Sequence, residues 1–390
     1  MTNQVKKVPE LRFPEFDGEW EEKKLGDIAH ITMGQSPKSS NYTNNDQDMV
    51  LVQGNADMKK GQIYPRIYTT EITKLAEIDD ILLSVRAPVG ELAIAQLRAC
   101  IGRGVCAING NKFVYYNLEL FKVRNTWKLF SQGSTFESIS GNEIKKINFQ
   151  IPISKSEQQK IGEFFSKLDR QIELEEQKLA KLEEQKKGYM QKLFSQELRF
   201  KDENGNQYPE WVTKKLGDIG KVAMNKRIYK NETTENGEIP FYKIGNFGKN
   251  ADTFITREKF DEYKEKYPYP NVGDILISAS GSIGRTIEYT GEDAYYQDSN
   301  IVWLNHNDEV INKYLKYFYK IVKWSGIEGT TIKRLYNKNI LNTKIELPTV
   351  EEQYKMANFL NKLDKLIEKQ NQKIDGLKER KKGLLQKMFV

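Results

Sequence analysis

The sequence predicts an α+β fold that is duplicated along the chain, with two tandem globular domains separated by two long helices. Three observations predict it: internal repetition, short β-rich segments in each copy, and a heptad pattern that closes each copy. Four segments recur in the same order at offsets between 191 and 195 residues: 20–28 with 211–219, 81–90 with 275–284, 157–173 with 352–368, and 182–194 with 377–389. This period is too long for a solenoid unit, so it indicates a duplicated module.

Short strands and turns dominate the predicted globular parts. Residues 79–85 and 273–279 are each typical of a turn followed by a strand rich in β-forming residues. Residues 118–129 and 310–324 have helical spacing, which makes each globular part α+β. Glycines mark turns between these segments, at Gly90, Gly102, Gly104, Gly281 and Gly284.

Two long helices are predicted after the strand-breaking Pro152 and Pro348. Apolar residues follow alternating steps of four and three along each helix, which predicts a coiled-coil seam. Roughly 38 residues in each helix give a rod of about 57 Å. Because the intervening domain lets the chain return, we expect antiparallel pairing, with Glu175 facing Lys381 as a polar pair that fixes the register.

Composition excludes several classes of protein. The chain has 390 residues, with 61 Lys and Arg against 54 Asp and Glu, a net charge of +7 and two cysteines. Cys100 and Cys106 have no metal-ligand spacing with His30 or His306, so neither a zinc site nor a disulfide framework is predicted. No apolar run reaches the ~20 residues that span a bilayer, and the N-terminus lacks a signal-peptide core. We therefore expect a cytoplasmic protein without a bound metal or a membrane partner.

Catalytic motifs are absent from the sequence. It contains no G-x-x-x-x-G-K-S/T phosphate loop, no G-x-G-x-x-G segment after a strand, and no Asn-Pro-Pro-aromatic motif of the kind that amino-methyltransferases use. The Glu-x-Lys fragments at 143–145 and 262–264 are expected by chance in a chain this charged. No catalytic residue is predicted, and the pattern favours a binding scaffold.

Two further motifs occur once in each copy. The first copy has GSTFESI at 133–139 before Pro152, followed by E-Q-x-x-I-x-x-F-F-x-x-L-D at 157–169. The second has GTTIKRL at 329–335 before Pro348, followed by E-Q-x-x-M-x-x-F-L-x-x-L-D. Each half also starts with KKLGDI. In these motifs the chain resembles, over essentially its whole length, the specificity (S) subunits of type I restriction-modification systems.

The resemblance implies a four-part chain with defined partners. It implies target-recognition domains at 1–155 and 196–350, which read the two parts of a bipartite, asymmetric DNA target, and conserved spacer helices at 156–195 and 351–390. It further implies a non-catalytic chain that carries no cofactor. Such a chain binds double-stranded DNA, two methyltransferase subunits and restriction–translocase subunits. S-adenosylmethionine, ATP and Mg are then expected on the partner subunits.

Base-contacting residues are expected in loops where Arg, Lys, Gln and Ser lie among glycines. The alternative interpretation is that these loops are solvated turns. Of the candidates, Arg86 and Arg285 are favoured as DNA contacts. In the first domain the candidates are Gln35, Ser36, Lys38, Tyr42, Ser84, Arg86 and Arg103. In the second they are Lys226, Arg227, Ser280, Ser282, Arg285, Lys333 and Arg334.

Partner-binding residues are expected on the helices, where repetition between the copies exceeds what a heptad requires. Two similar outward-facing copies would suit two identical methyltransferase subunits. The alternative is that the helices only brace the chain. The candidates are Leu168, Asp169, Lys186, Lys187, Leu363, Asp364, Lys381 and Lys382.

The positive charge of the chain lies mostly on one helix. Residues 157–194 carry no net charge and residues 352–389 carry +5, which leaves +2 for the rest of the chain. Because phosphate neutralisation supplies most non-specific DNA affinity, we expect weak, salt-sensitive binding by the chain alone. Two alternatives stay open: a coiled-coil interaction scaffold that does not read DNA, and a self-contained nuclease or methyltransferase, which the missing motifs oppose.

Overall fold

The chain folds into two compact units. The computed structural model describes residues 7–130, 138–324 and 334–390. One unit comprises Met1–Lys178 with Gln370–Val390, and the other comprises Leu179–Lys369. Each unit therefore combines one globular part with a portion of each long helix.

The globular part of the first unit contains, within its described residues, thirteen short strands and four helices. The strands are β1 (Glu21–Lys24), β2 (His30–Met33), β3 (Tyr42–Thr43), β4 (Met49–Val52), β5 (Met58–Lys59), β6 (Gln62–Ile63), β7 (Tyr68–Thr69), β8 (Leu75–Ala76), β9 (Ile81–Ser84), β10 (Leu92–Ile94), β11 (Ala99–Ile101), β12 (Val105–Asn109) and β13 (Asn148–Ile151). The helices are α1 (Leu25–Ile28), α2 (Lys112–Val123), α3 (Trp127–Phe130) and α4 (Gly141–Lys145).

Three sheets organise the strands of the first unit. The largest has the order β2-β12-β9-β10-β6-β5, the second has the order β3-β7-β4-β11-β8, and β1 pairs with β13. Side chains alternate between the two faces of a strand. Accordingly, Ile81 and Leu83 of β9 pack into one core while Leu82 packs into another. Strand β9 is buried on both faces, so the largest sheet lies between two apolar clusters of this unit.

The first long helix, α5, spans Lys155–Phe194, and the globular part of the second unit follows it. Its strands are β14 (Val212–Lys215), β15 (Gly220–Ala223), β16 (Ile239–Tyr242), β17 (Phe254–Ile255), β18 (Ile275–Ser278), β19 (Thr286–Glu288), β20 (Tyr295–Tyr296), β21 (Ile301–His306) and β22 (Lys344–Leu347). Its helices are α6 (Leu216–Ile219), α7 (Arg257–Lys266), α8 (Asn312–Ile321) and α9 (Asn337–Leu341), and the second long helix, α10, spans Val350–Met388.

The second unit repeats the sheet plan of the first with fewer strands. Its sheets have the orders β15-β21-β18-β19 and β17-β16-β20, and β14 pairs with β22. The run β15-β21-β18-β19 matches β2-β12-β9-β10 of the first unit. The duplicated α+β fold predicted from the sequence is confirmed.

Within each unit the two long helices run antiparallel. In the first unit, Glu175 accepts hydrogen bonds of 2.6 Å from Gln370 Nε2 and from Lys373 Nζ. Further along, Lys381 Nζ lies 2.6 Å from Asp169 Oδ1. The antiparallel pairing is confirmed, but the predicted register is wrong, because Lys381 faces Asp169 and not Glu175.

The ends of the long helices complete both globular cores. In the first unit, Phe165 of α5 and Leu385 of α10 are buried in the same apolar cluster as the sheet. In the second unit, Leu193 of α5 and Leu360 of α10 do the same. Burial of one such side chain stabilises the fold by about 1.5–3 kcal/mol, so each core depends on both helices.

Helix α2 begins six residues before the predicted start at Leu118. The side chain of Asn111 accepts a hydrogen bond of 3.1 Å from Val114 N and caps the helix. Asn is a favoured N-cap residue because it satisfies an otherwise unpaired backbone donor. The cap, and not the apolar spacing, fixes where this helix starts.

A glycine packs against a tryptophan at the same place in each unit. Gly90 has a φ of +96°, and a Cβ there would lie 2.3 Å from Trp127 Cδ1. Gly284 has a φ of +81°, and a Cβ there would lie 2.7 Å from Trp324 Nε1. Both the backbone conformation and the close ring exclude a larger residue.

Replacing Gly90 with alanine is expected to destabilise the first unit by about 1–3 kcal/mol, because a positive φ and a close ring both oppose a Cβ. The matched control is Gly188→Ala in α5, where a Cβ would have no atom within 4 Å. That change should instead stabilise the helix by about 0.5–1 kcal/mol. Urea unfolding of both variants tests the pair, and equal stability of the two would contradict the packing argument.

Two absences concern membranes and metals. In the described ranges, no helix is both long and apolar enough to span a bilayer. In those same ranges no group of His, Cys, Asp and Glu residues is arranged to hold a metal ion. Cys100 and Cys106 are buried and free, and burial raises the pKa of the Cys106 thiol to about 12.

Candidate nucleic-acid interface

Three loops meet at one end of the large sheet in the first unit. Strands β2 and β9 both run antiparallel to β12, so both end where β12 begins. The loops are joined by backbone hydrogen bonds of 3.0 Å from Gly34 N to Val105 O and 2.9 Å from Val85 N to Gly104 O. We call this region, residues 34–36, 85–86 and 102–104, the first sheet end.

The first sheet end gathers four of the predicted DNA-binding residues. Arg86, Arg103 and Gln35 are exposed there, and Ser36 is half-buried, with its Oγ accepting a hydrogen bond of 3.1 Å from Arg103 N. Within the described part of the chain, neither arginine side chain has a hydrogen-bond or ion-pair partner. Two guanidinium groups without such partners, in loops that follow strands of the sheets, are suited to base or phosphate recognition.

Two predicted serine contacts are wrong. Ser84 is fully buried; its Oγ donates to Pro88 O at 2.7 Å and accepts from Glu91 N at 2.8 Å. Ser280 is 5% exposed, and its Oγ donates to Asn300 Oδ1 at 2.8 Å. Both hydroxyl groups are used inside the fold, where they hold the loops.

Lys38 and Tyr42 lie beside the first sheet end, near the second sheet. The backbone N of Lys38 donates to Glu71 Oε2 at 2.9 Å, and its side chain is exposed. Tyr42, on β3, is half-buried, and its hydroxyl donates to Pro37 O at 3.4 Å. Lys38 stays a candidate contact, whereas Tyr42 has a local structural role as well.

The second unit has an equivalent region, the second sheet end, formed by residues 225–227, 279–285 and 298–300. A backbone hydrogen bond of 2.7 Å from Ala279 N to Asn300 O matches the Val85–Gly104 bond. Arg227 is exposed, and its Nε donates to Asp298 Oδ2 at 2.9 Å.

Three more predicted residues stand at the second sheet end. Lys226 is exposed, with its ammonium group 5.0 Å from the centre of the Tyr267 ring. Ser282 and Arg285 are exposed, and Arg285 Nη2 donates to Gly248 O at 3.3 Å. Lys333, together with most of the motif at 329–335 and the motif residues 133–137, lies outside the described residues.

Each unit places one arginine at an isolated backbone bridge beside its sheet end. In the first unit this bridge joins Arg86 to Ser138. In the second it joins Ser280 to Arg334, and Arg334 is exposed. The arginine and the serine have thus exchanged sides of the bridge between the two units.

The hydrogen bonds next to these bridges show that the two are equivalent. Ile139 N donates to Val85 O at 3.0 Å, and Leu335 N donates to Ala279 O at 2.8 Å. Arg86 and Arg334 therefore occupy matching places from opposite strands. The repeat of 81–90 at 275–284 aligns Arg86 with Ser280, and the motifs at 133–139 and 329–335 align Ser138 with Arg334. The sequence alone did not show that these two pairs lie side by side.

Most of the predicted partner-binding residues lie in contacts within each unit. In the first unit, Tyr116 Oη donates to Asp169 Oδ2 at 2.7 Å, and Asp169 also binds Lys381. In the second, Tyr317 Oη donates to Asp364 Oδ2 at 2.8 Å, and Asp364 also binds Lys186. These two Tyr–Asp–Lys triads dock each globular part onto the helices.

Six of the predicted partner-binding residues make contacts within their own unit, and their role toward a partner stays a prediction. Asp169, Asp364, Lys186 and Lys381 are engaged in the triads, and Leu168 and Leu363 pack against the two cores. Internal docking accounts for the repetition that the sequence shows at these positions. Lys187 and Lys382 are exposed and stay candidates for partner contact.

The charge environment of Asp364 favours its ionised form. Burial alone would raise its pKa, but hydrogen bonds from Lys186 and Tyr317 outweigh burial and hold the pKa below its ordinary value. A carboxylate with a lowered pKa stabilises the fold above its ordinary pKa and loses that contribution as pH falls through the lowered value. The second triad is thus stable at neutral pH.

The model of the type I restriction modification DNA specificity domain matches residues 17–184 and 208–379. Each match covers one globular part with its sheet end and most of the helix that follows. The chain belongs to this family. The resemblance predicted from the motifs is confirmed, and the two copies are two DNA specificity domains.

Known relatives of the specificity-domain family match over different lengths. A putative type I restriction enzyme specificity subunit of Haemophilus influenzae is 58% identical over 153 residues, which are 39% of this chain and 40% of the relative. The MjaIX specificity subunit of Methanocaldococcus jannaschii is 27% identical over 406 residues, covering 95% of this chain and 92% of the relative. The first match therefore spans less than half of that relative.

Solved structures share the fold of this family member. The S subunit of a type I restriction-modification system from M. genitalium has a TM-score of 0.60 at 19% identity, covering 98% of this chain and 99% of that one. A chain from a study of assembly and conformational transition of the type I system has a TM-score of 0.59 at 17% identity, covering 95% and 97%.

Proposed function

We propose that the chain is the non-catalytic specificity subunit of a type I restriction-modification complex and that it reads a bipartite, asymmetric DNA target. The pair of sheet ends carries this proposal. Both expose basic and polar side chains at matching places of the same fold, and the residues there differ, as with Arg103 against Ser299. Two different readers on one chain would recognise two different half-sites.

The proposed partners are double-stranded DNA, two methyltransferase subunits and restriction–translocase subunits. The methyltransferase subunits would bind S-adenosylmethionine, and the restriction–translocase subunits would bind ATP and Mg. Membership of the specificity-domain family and the names of the relatives support this assignment. The proposed compartment is the cytoplasm.

The electrostatics of the sheet ends favour partner-assisted binding. Arg86 and Arg103 are free to contact DNA, but Arg227 must exchange Asp298 for a DNA group. With +2 of the net charge outside the two helices, few phosphates are neutralised by the specificity domains themselves. Partner subunits that surround the duplex would supply the missing contacts.

The isolated chain should bind its DNA weakly, and addition of the methyltransferase subunit should tighten binding at least tenfold. Salt should weaken binding steeply, in proportion to the phosphates contacted. Mobility shifts of the full chain with and without that subunit measure this, after genome-wide mapping of methylated sites in cells with and without the gene has defined the target. Tight specific binding by the chain alone would contradict the charge argument. Loss of the gene without loss of any methylated site would contradict the proposed function and favour a scaffold.

A further inference from the structure

The two Tyr–Asp–Lys triads differ in one neighbouring charge. Tyr116 on α2 and Tyr317 on α8 hold the same place, since each donates to the aspartate of its triad. Three residues further along each helix, the first unit has Glu119 and the second has Lys320. A carboxylate in one copy is therefore replaced by an ammonium group in the other.

In the first unit the charges of this region are paired. Lys381 Nζ lies 2.7 Å from Glu119 Oε1 and 2.6 Å from Asp169 Oδ1, and its side chain is 10% exposed. The ammonium group also lies 5.2 Å from the centre of the Tyr116 ring. Burial raises the pKa of Glu119, while Lys381 opposes this rise. One buried lysine thus has two carboxylates from its own chain.

In the second unit only one of two neighbouring lysines has a carboxylate partner among the described residues. Lys186 binds Asp364, and its side chain is 15% exposed. Lys320 is exposed and has no carboxylate partner among the described residues. Its ammonium group lies 5.3 Å from the centre of the Tyr317 ring, which Lys186 also approaches. Burial, followed by repulsion from Lys186, lowers the pKa of Lys320. Within the described ranges, the ammonium group of Lys320 is therefore not paired with a carboxylate.

A cavity of about 580 Å³ opens beside this charge. Lys186, Lys320 and Asp364 line it, together with Lys187 and Glu183 and with the apolar or amide side chains of Met190, Gln191, Ile321 and Ile367. All of these residues belong to the second unit. The volume is sufficient for an acidic side chain from outside the chain.

We propose that a side-chain carboxylate of a methyltransferase subunit enters this cavity and pairs with Lys320 and Lys186, at the place that Glu119 fills in the first unit. The inference rests on the proposed function, which supplies the partner. The first unit satisfies its lysine internally, so the two halves of the chain present different surfaces to otherwise identical subunits.

The lining of the cavity favours a protein partner over DNA. Three lysines and two carboxylates give the lining a net charge of +1, which suits a single carboxylate better than the repeated charges of a phosphate chain. Ile321, which lines the cavity, is 38% exposed. Apolar side chains around a buried charge pair are typical of protein interfaces.

The test compares Lys320→Glu and Lys320→Gln with Lys313→Glu, a charge reversal of another exposed lysine on the same helix that does not line the cavity. Lys320→Glu recreates the internal pair of the first unit, so its melting temperature should equal or exceed that of the unchanged chain. Its affinity for the methyltransferase subunit should fall about tenfold at one of two sites, with a smaller loss for Lys320→Gln. Lys313→Glu should change neither quantity.

Carbodiimide cross-linking of the full complex gives a second readout. This reagent joins a carboxylate to an amine in direct contact, so mass spectrometry should find Lys320 or Lys186 linked to an acidic residue of the methyltransferase subunit. Unchanged affinity for Lys320→Glu, or a loss of DNA affinity in its place, would overturn the inference alone. Failure of the unchanged chain to bind the methyltransferase subunit at all would overturn the proposed function as well.

Discussion

Replacement of Glu352 by alanine is expected to lower the free energy of unfolding of the second unit by about 3–5 kcal/mol. Glu352 is fully buried near the start of α10 and binds Arg199 Nε and Nη2 at 3.2 and 2.9 Å. It also accepts a hydrogen bond of 3.0 Å from Trp211 Nε1. The alanine variant leaves the indole N–H without its acceptor and leaves the guanidinium group, whose side chain is 13% exposed, with only the carbonyl oxygens of Tyr208 and Pro209 as acceptors nearer than 3.5 Å.

The double variant Glu352→Ala with Arg199→Met should recover part of that loss, because the costly species is the unpaired charge. The matched control is Glu309→Ala, which removes an exposed pair with Lys214 at 2.7 Å. Exposed pairs contribute about 0–1 kcal/mol, so this change should have little effect. Thermal unfolding compares the stability of all three variants, and hydrogen exchange of the backbone amides tests whether the loss lies in the second unit. Equal stability of Glu352→Ala and Glu309→Ala would contradict the argument.

Replacement of Arg86 by alanine is expected to relax recognition in one half of the DNA target and to leave the other half unchanged. Replacement of Arg334 should relax the opposite half. Both side chains are exposed at equivalent backbone bridges. A guanidinium group that donates two hydrogen bonds to one guanine contributes about 1–3 kcal/mol of discrimination against other bases. The expected loss is therefore about tenfold to a hundredfold at one base position.

Genome-wide mapping of methylated sites in cells that express each variant measures this effect. Arg98→Ala is the matched control, because Arg98 is exposed but pairs with Glu77 at 3.0 Å, away from the sheet end. Its target should be unchanged. Uniformly weaker methylation with the same base preference would identify Arg86 as a phosphate contact, and relaxation of both half-sites would contradict independent readers.

The helices were predictable because their apolar spacing repeats over many turns, whereas their register was not. The register depends on Lys381, whose ammonium group is held by Asp169 and by Glu119 on α2. Since α2 is distant in sequence, no heptad pattern contains this contact. The predicted register paired Lys381 with Glu175 across the two long helices, but Glu119 on α2 and Asp169 bind Lys381.

The candidate site was predictable from the sequence only in part. Loop composition identified Arg86 and Arg103, but it could not distinguish the exposed serine Ser282 from Ser84, which is buried by the closure of a turn. The buried Arg199–Glu352 pair was missed because its arginine lies in a repeat, ELRF at 10–13 and 197–200, whose offset of 187 differs from that of the other repeats.

The division of the chain between its units sets the order in which the two units can fold during synthesis. The second unit is one continuous stretch, Leu179–Lys369, which can fold as soon as it leaves the ribosome. The first unit must wait for its C-terminal stretch: Leu11 N donates to Lys387 O at 2.9 Å, and Phe389 packs 5.1 Å from the Phe113 ring. The part of the chain that is made first is therefore completed last. A stalled or shortened product would expose its unfinished apolar core to chaperones and proteases.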